Sequence, residues 1–245
     1  MREISAEELN DILNKSIHKF DYVLELGVLQ EPKLCVKPVY QFERAFVIDE
    51  MEFCLIYSEA DDPEEIYISS NSSNLKKFKN ILREYKNNKF IFHGQNGDGE
   101  LFESYYYDNE NIESVEYFNI RLLSPEDKQL VKSQGKDDYL NVIFKDFIKN
   151  KIWSDCGIIG AFNENNHFTG YLAYYEIAEN IRDVSYIYIK KEYRRLGYAK
   201  KLLNYFANKN IEENKISYYS YTADEISEKL VKSCGFKPCA KRFER

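Results

Sequence analysis

The chain has 245 residues, 44% hydrophobic and 31% charged, enough for one large domain or two small ones with a real core, and too apolar for wholesale disorder. A formal net charge of −7 speaks against nucleic-acid binding, and no apolar run approaches the roughly 18–20 residues that span a bilayer. With no basic-flanked apolar leader at residues 1–5, a soluble cytoplasmic protein is expected, with neither membrane nor nucleic acid as partner.

Five cysteines (Cys35, Cys54, Cys156, Cys234, Cys239) are odd in number and show no C-x-x-C spacing. They fit buried small apolar residues better than a disulfide framework or zinc ribbon. His18, His93 and His167 lie far apart, so no metal site is expected. Residues 1–111 carry 12 basic and 22 acidic side chains, the remainder 22 basic and 19 acidic. Two regions with different tasks are expected, the positive one suited to an anionic ligand.

In chain order, Ser5-Ala6-Glu7-Glu8 reads as a capping box opening a helix with Leu9, Ile12, Leu13, Ile17 and Phe20 on one face. Strands are predicted at 45–48, 53–58 and 66–69, then an amphipathic helix carrying Leu75, Phe78, Ile81, Leu82 and Tyr85. A strand pair at 90–93 and 101–107 flanks the glycine cluster Gly94, Gly97, Gly99. No helix signal follows that cluster, so a hairpin turn is expected there rather than phosphate binding. The polar stretch Asn109-Glu110-Asn111 marks a boundary, which divides the chain into 1–110 and 111–245.

The second region predicts a strand at 117–122 and then an N-cap with proline at the first helical position, Ser124-Pro125-Glu126-Asp127. A helix with Leu140, Ile143, Phe144 and Phe147 follows, then strands at 157–162 and 168–177 joined by a hairpin loop. The order is β-α-α-β-β-β-α-β-α with room for a last strand. The fold class expected is α+β with a mixed sheet, and no internal repeat is visible.

Chemistry concentrates between Val184 and Phe236. A β-prone run, 184–189, leads into a turn where residues 190–201 hold six basic side chains and one acidic. A helix begins there, with Ala199, Leu202, Leu203 and Phe206 on one face. The first amides of a helix lack internal partners and sit at its positive end, and Gly197 lets a phosphate approach the backbone.

Arg194-x-x-Gly197-x-Ala199 matches the R/Q-x-x-G-x-G/A signature, and the chain here resembles the GNAT superfamily of acyl-CoA N-acyltransferases. The preceding Ile187-Tyr188-Ile189 has the form of that family's pantetheine-binding strand. Residues 222–236, ending Cys234-Gly235-Phe236, resemble its second motif, and Gly170 falls where the family has a glycine after its hairpin. Read on its own terms, that last stretch is a helix with Thr222 and Glu225 as a capping box and Ile226, Leu230, Val231 and Cys234 on one face. The resemblance covers residues 115–245 and implies a GNAT fold in the C-terminal half. Residues 1–110 are an α+β accessory domain or a decayed second copy of the same fold.

What the resemblance implies is transfer of an acetyl group from acetyl-CoA, the co-substrate, to a primary amine of a small, cationic molecule. Ile187, Tyr188 and Ile189 would hold pantetheine; Arg194, Arg195, Leu196, Gly197, Tyr198, Ala199 and Lys200 would hold the pyrophosphate; and strand 216–222 would splay from 184–189. Asp183 stands where several members have a glutamate base, with Glu176 a weaker rival. The family's acid, a tyrosine, is replaced by Val231, so Tyr221, Tyr219 or Tyr186 would have to serve, Tyr221 being the choice. Asp224 stands for the family's asparagine, which contacts pantetheine. Alternatives are a non-catalytic acyl-CoA-binding regulatory module and a protein or peptide N-acetyltransferase. Oligomeric state is not legible.

Overall fold

The structure is a computed structural model and describes residues 1–16, 40–48, 52–59, 64, 66–71, 83, 89–93, 100–107, 119–134, 138–150, 156–178, 180–222 and 224–244. The helix expected around residues 75–85 and the glycine cluster at 94–99 lie outside them.

The N-terminal half places β1 (Arg2–Ile4), α1 (Ala6–Ser16), β2 (Tyr40–Ile48), β3 (Glu52–Glu59), β4 (Ile66–Ser70), β5 (Lys89–His93) and β6 (Glu100–Tyr107). Helix α1 starts as predicted, with the Glu8 amide donating to Ser5 Oγ at 3.2 Å, though the Glu8 carboxylate pairs with Arg2 instead of closing the box. The C-terminal half places β7 (Ile120–Leu122), a 3-10 turn (Pro125–Asp127), α2 (Lys128–Ser133), α3 (Asp138–Asn150), β8 (Cys156–Phe162), β9 (Phe168–Ala178) and β10 (Ile181–Ile189). It continues through α4 (Tyr198–Glu212), β11 (Ile216–Thr222), α5 (Glu225–Ser233) and β12 (Lys237–Glu244). Asp127 closes the expected cap, accepting from the Ser124 amide at 2.9 Å while pairing with Arg121. The loop between β8 and β9 is held by Asn163, whose side-chain oxygen accepts from the amides of Asn165 and His167.

The described strands form one sheet in the order β1-β2-β3-β4-β5-β12-β6-β11-β10-β9-β8-β7. Read from either edge, that order repeats one topology. Strands 1/2, 2/3 and 3/4 are antiparallel and 4/5 parallel; strands 7/8, 8/9 and 9/10 are antiparallel and 10/11 parallel. The sixth strands are exchanged: β6 lies against β11, β12 lies against β5, and the two pair with each other at the centre. The chain thus repeats in topology where no repeat shows in sequence, which fits the second-copy alternative. One expectation is corrected: β5 and β6 do not form a hairpin, because β12 occupies the place between them. The boundary expected at 110/111 falls outside the described residues, but the sheet crosses the two halves without a break.

Helices α2 and α3 cover one face of the C-terminal half, where Leu140, Ile143 and Phe144 pack on Ile158, Tyr171 and Ala173. Helices α4 and α5 cover the other through Leu202, Leu203, Phe206 and Val231, against Leu172, Tyr174 and Val184. Each such side chain, fully buried, stabilises by about 1.5–3 kcal/mol. A third core joins the halves: Leu9, Leu13, Leu55 and Tyr57 pack with Ile177, Ile181 and Tyr218. Cys54 and Cys156 are buried, as their class predicts, and burial pushes the Cys54 thiol up to about 12.

At the foot of β10, Arg182 is 5% exposed and bonds Glu213 at 2.5 Å, Glu176 at 3.3 Å and Asn210 Oδ1 at 3.1 Å. Asn210 in turn donates to Ser217 Oγ at 2.8 Å, so one network ties β9, β10, α4 and β11. Burial pushes the Glu213 carboxyl up, but hydrogen bonds and charge from Lys209 and Arg182 outweigh it and hold it below its ordinary value. A depressed carboxylate contributes stability above its unfolded pKa, about 4.3, and loses it as pH falls through the lower folded value. A Tm–pH titration should therefore show a smaller acid fall in Glu213→Gln than in the parent, with the variant less stable at pH 7. An identical acid fall in both would refute this role.

Candidate active site

Strands β10 and β11 pair in parallel only at their start: the register joins Ile181, Arg182 and Asp183 to Ile216, Ser217 and Tyr218, and stops. Beyond it, β10 stays bound on its other edge to β9 as far as Ile189–Gly170, and β11 stays bound to β6 as far as Thr222–Phe102. Each strand is held from outside while the two move apart. A bulge between Val184 and Tyr186 supplies the bend in β10. The facing edges carry backbone donors and acceptors that no described strand pairs, the splay that the family resemblance implies. In the N-terminal half, by contrast, β4 and β5 remain paired from Tyr67–Lys89 to Ser70–Phe92.

Gly170 is needed here for a packing reason. A Cβ on it would fall on the Tyr188 carbonyl oxygen and lie 2.9 Å from Ile189 Cα, so only glycine lets β9 run this close to β10.

At the open end of β10 the Lys190 amide donates to the Thr169 carbonyl at 2.9 Å, and a 3-10 turn follows at Lys191–Tyr193. Arg194 folds back, its Nε donating to the Ile189 carbonyl at 3.0 Å, and so braces the turn against the strand. Arg195 (φ 63°) and Gly197 (φ 82°) both take left-handed backbone. Gly197 is the N-cap of α4 with no side-chain cap, and a Cβ there would meet nothing within 4 Å. The amides of Tyr198, Ala199 and Lys200 thus open the helix toward solvent without side-chain partners, among the exposed Arg194, Arg195 and Lys200. The site can hold a diphosphate by backbone donors and helix dipole. Of the expected pantetheine residues, Ile187 and Ile189 point their side chains to the α4 core, and Tyr188 packs on the other face against Tyr171.

Asp183 holds the last paired position before the splay and is half-buried. Cross-strand partners share a face: Asp183 stands opposite Tyr175, and Tyr186 opposite Ala173, both on the α2/α3 side. Glu176, opposite Arg182, lies on the other side and is committed to Arg182 and Lys215. Its carboxylate is engaged in ion pairs on the face away from Asp183.

The tyrosines divide by position. Tyr221 lies in the α4/α5 core, 8% exposed, stacked on Tyr105 at 5.9 Å, and burial drives its hydroxyl far above the ordinary value. Tyr219 is the first residue of β11 past the pairing and hydrogen-bonds Ser227 of α5. Burial pushes its hydroxyl up to about 12; the Ser227 bond opposes this, and the charges of Asp224 and Asp183 add to it. Tyr219 thus lies within electrostatic reach of carboxylates on both sides of the opening. Val231 is wholly buried, so nothing polar reaches the site from there.

Asp224, and not Thr222, is the N-cap of α5, accepting from the amides of Ile226 (2.8 Å) and Ser227 (2.9 Å). Those bonds and the Ser227 side chain hold its carboxyl below the ordinary range. Thr222 instead ends β11. Ile226, expected on the buried face, is 83% exposed in the first turn of α5. The Tyr219–Ser227 pair and the Arg182 network were missed from sequence. A serine three residues before Leu230 was a weak signal for the first, and nothing local pointed to the second.

The family model of the acetyltransferase (GNAT) family matches residues 100–236, from β6 to the end of the second motif. No curated protein sequence matches the chain. Among solved structures the chain is similar to a Drosophila protein (12% identity, 99% of this chain and 97% of that one covered, TM-score 0.61). It is also similar to a GNAT-family acetyltransferase from Colwellia psychrerythraea (12%, 99% and 98%, TM-score 0.57) and to a tandem GNAT protein from the clavulanic acid biosynthesis pathway (10%, 99% and 97%, TM-score 0.53). At such identities the likeness is one of fold.

Proposed function

Since the chain belongs to the GNAT family of acetyltransferases, we propose that it moves an acetyl group from acetyl-CoA to a primary amine of a small molecule. The observation that carries this is the splay of β10 from β11, ending at a basic, uncapped helix start. Pantetheine would lie along the unpaired edge of residues 184–189, and the pyrophosphate on the amides of residues 195–200. Arg194 serves by bracing the turn and Arg195 and Lys200 by charge. Asp224, occupied as a cap, would meet pantetheine only as an acceptor.

The amine enters from the α2/α3 face, where Asp183 stands, and arrives protonated. Asp183 takes one proton and frees the lone pair, which attacks the thioester carbonyl carbon. Unpaired main-chain N–H groups of the splay stabilise the oxygen as charge develops on it. The C–N bond forms, the C–S bond breaks, and the thiolate takes a proton from Tyr219, which we favour over Tyr221 as donor. Of the two protons the nitrogen loses, one passes through Asp183 to solvent and the other balances the one Tyr219 gave. The four described cysteines, Cys54, Cys156, Cys234 and Cys239, are free thiols and suit a reducing cytoplasmic setting. No helix among the described residues is long and apolar enough to cross a membrane. The N-terminal half fits a second, altered copy of the fold, supported by the repeated strand order.

The test is amine-dependent release of CoA thiol. Asp183→Asn should lower kcat about 100-fold at pH 7, within the usual range for losing a general base, and recover partly as pH rises and the amine deprotonates itself. Stabilisation by acetyl-CoA should be unchanged. An unaltered rate removes Asp183 from the mechanism, and failure of every amine to release thiol removes acetyl transfer.

A further inference from the structure

On the acceptor side of β10 the aromatic rings form a chain from core to solvent. Phe168 stacks on Tyr171 (6.5 Å between centroids), Tyr171 meets Tyr188 and Tyr186 (5.9 Å each), and Tyr186 meets Tyr139 at the start of α3 (4.5 Å, planes at 53°). Tyr171 is wholly buried, whereas Tyr186 and Tyr139 are 40% and 41% exposed. The chain therefore ends in a corner of two inclined rings with surface open to solvent. Its distance from the proposed base follows from register. Tyr186 and Asp183 stand opposite Ala173 and Tyr175, two residues apart on β9, so they lie on one face about 7 Å apart along the strand.

An ammonium group binds the electron-rich face of a tyrosine, and the two packed rings present it their outward, solvent-exposed surface. The amine that reacts must be neutral, so a cation in that corner is a second nitrogen of the same molecule. Resting on the acetyl-transfer reaction proposed above, we infer that Tyr139 and Tyr186 are the specificity wall of the acceptor site and that the acceptor is an aliphatic diamine or polyamine. Its near nitrogen gives its proton to Asp183 while its far nitrogen stays charged against the solvent-exposed surface of the two packed rings, with a spacer of roughly four or five methylenes matching the ~7 Å separation. The acidic balance of residues 1–111, 22 acidic against 12 basic, favours the approach of such a cation.

The experiment compares 1,4-diaminobutane, butylamine and 2-phenylethylamine, by kcat/KM for thiol release and by calorimetric binding to the acetyl-CoA-loaded chain. Diaminobutane should exceed butylamine by about 5- to 30-fold, the range a cation–ring contact supports. In Tyr139→Leu/Tyr186→Leu the ratio should fall to near 1, through KM more than kcat, and Tyr139→Phe/Tyr186→Phe should restore it. Equal values for diaminobutane and butylamine, a ratio that survives the leucine pair, or a preference for phenylethylamine would each overturn the inference. Should no amine release thiol, the transfer reaction fails by itself, and the binding ratio still decides the wall.

Discussion

Deletion of residues 237–245 is expected to abolish cooperative folding of both halves, although these residues lie beyond the second sequence motif. Strand β12 is the antiparallel partner of β6 from Lys237–Tyr106 to Glu244–Glu100 and of β5 from Arg242–His93 to Glu244–Ile91. Its loss leaves β5 and β6 with facing edges unpaired in the middle of the sheet. At a net ~1 kcal/mol per backbone hydrogen bond, before any exposed apolar surface is counted, the two ladders amount to a large part of the 5–15 kcal/mol that ordinary domains have to spare. Circular-dichroism melting and limited proteolysis of residues 1–236 would show it, with removal of Arg245 alone as the control. A truncated chain melting cooperatively within a few degrees of the parent would mean that β12 does not hold the halves together.

Gly197→Asp should abolish binding of acetyl-CoA while leaving the chain folded. Space is not the obstacle, since a Cβ at this position meets nothing within 4 Å. The left-handed backbone (φ 82°) costs an L-residue about 1–2 kcal/mol, partly offset because aspartate is a good N-cap. What changes is the ligand's side: a carboxylate would take the free amides and put negative charge where a diphosphate has to sit. The Tm should move by only a few degrees, and the rise on adding acetyl-CoA should vanish. Calorimetry on the parent should find one equivalent per chain, because β4 and β5 stay paired where β10 and β11 separate. Two equivalents, or a full thermal shift in the variant, would place the phosphates elsewhere.

Much of the C-terminal half was legible in the residues themselves. Apolar spacing places Leu140, Ile143 and Phe144 on one face of α3 and Leu202, Leu203 and Phe206 on one face of α4, and all six are buried. The basic turn around Gly197 and the strand before it announce their chemistry through short-range features: a glycine, a run of cations, a helix start. Period-two alternation puts Tyr219 and Tyr221 on one face of β11, and both pack on the α4/α5 core. That Tyr219 is the first residue past the paired stretch follows only from where the pairing with β10 stops, at Asp183–Tyr218.

Local preference determined the elements of this chain, the basic turn before α4 and the family motifs, since each rests on residues a few positions apart. Tertiary structure alone decided which strands are neighbours. Turn chemistry between β5 and β6 favoured a hairpin, and a strand nearly 140 residues later took the place between them. It also decided that two halves with no visible sequence repeat share one topology, that Arg182 and not a cap or motif secures the foot of the splay, and that Tyr139 meets Tyr186. Those contacts join residues far apart in sequence, and their free energy exists only once the backbone has brought them together.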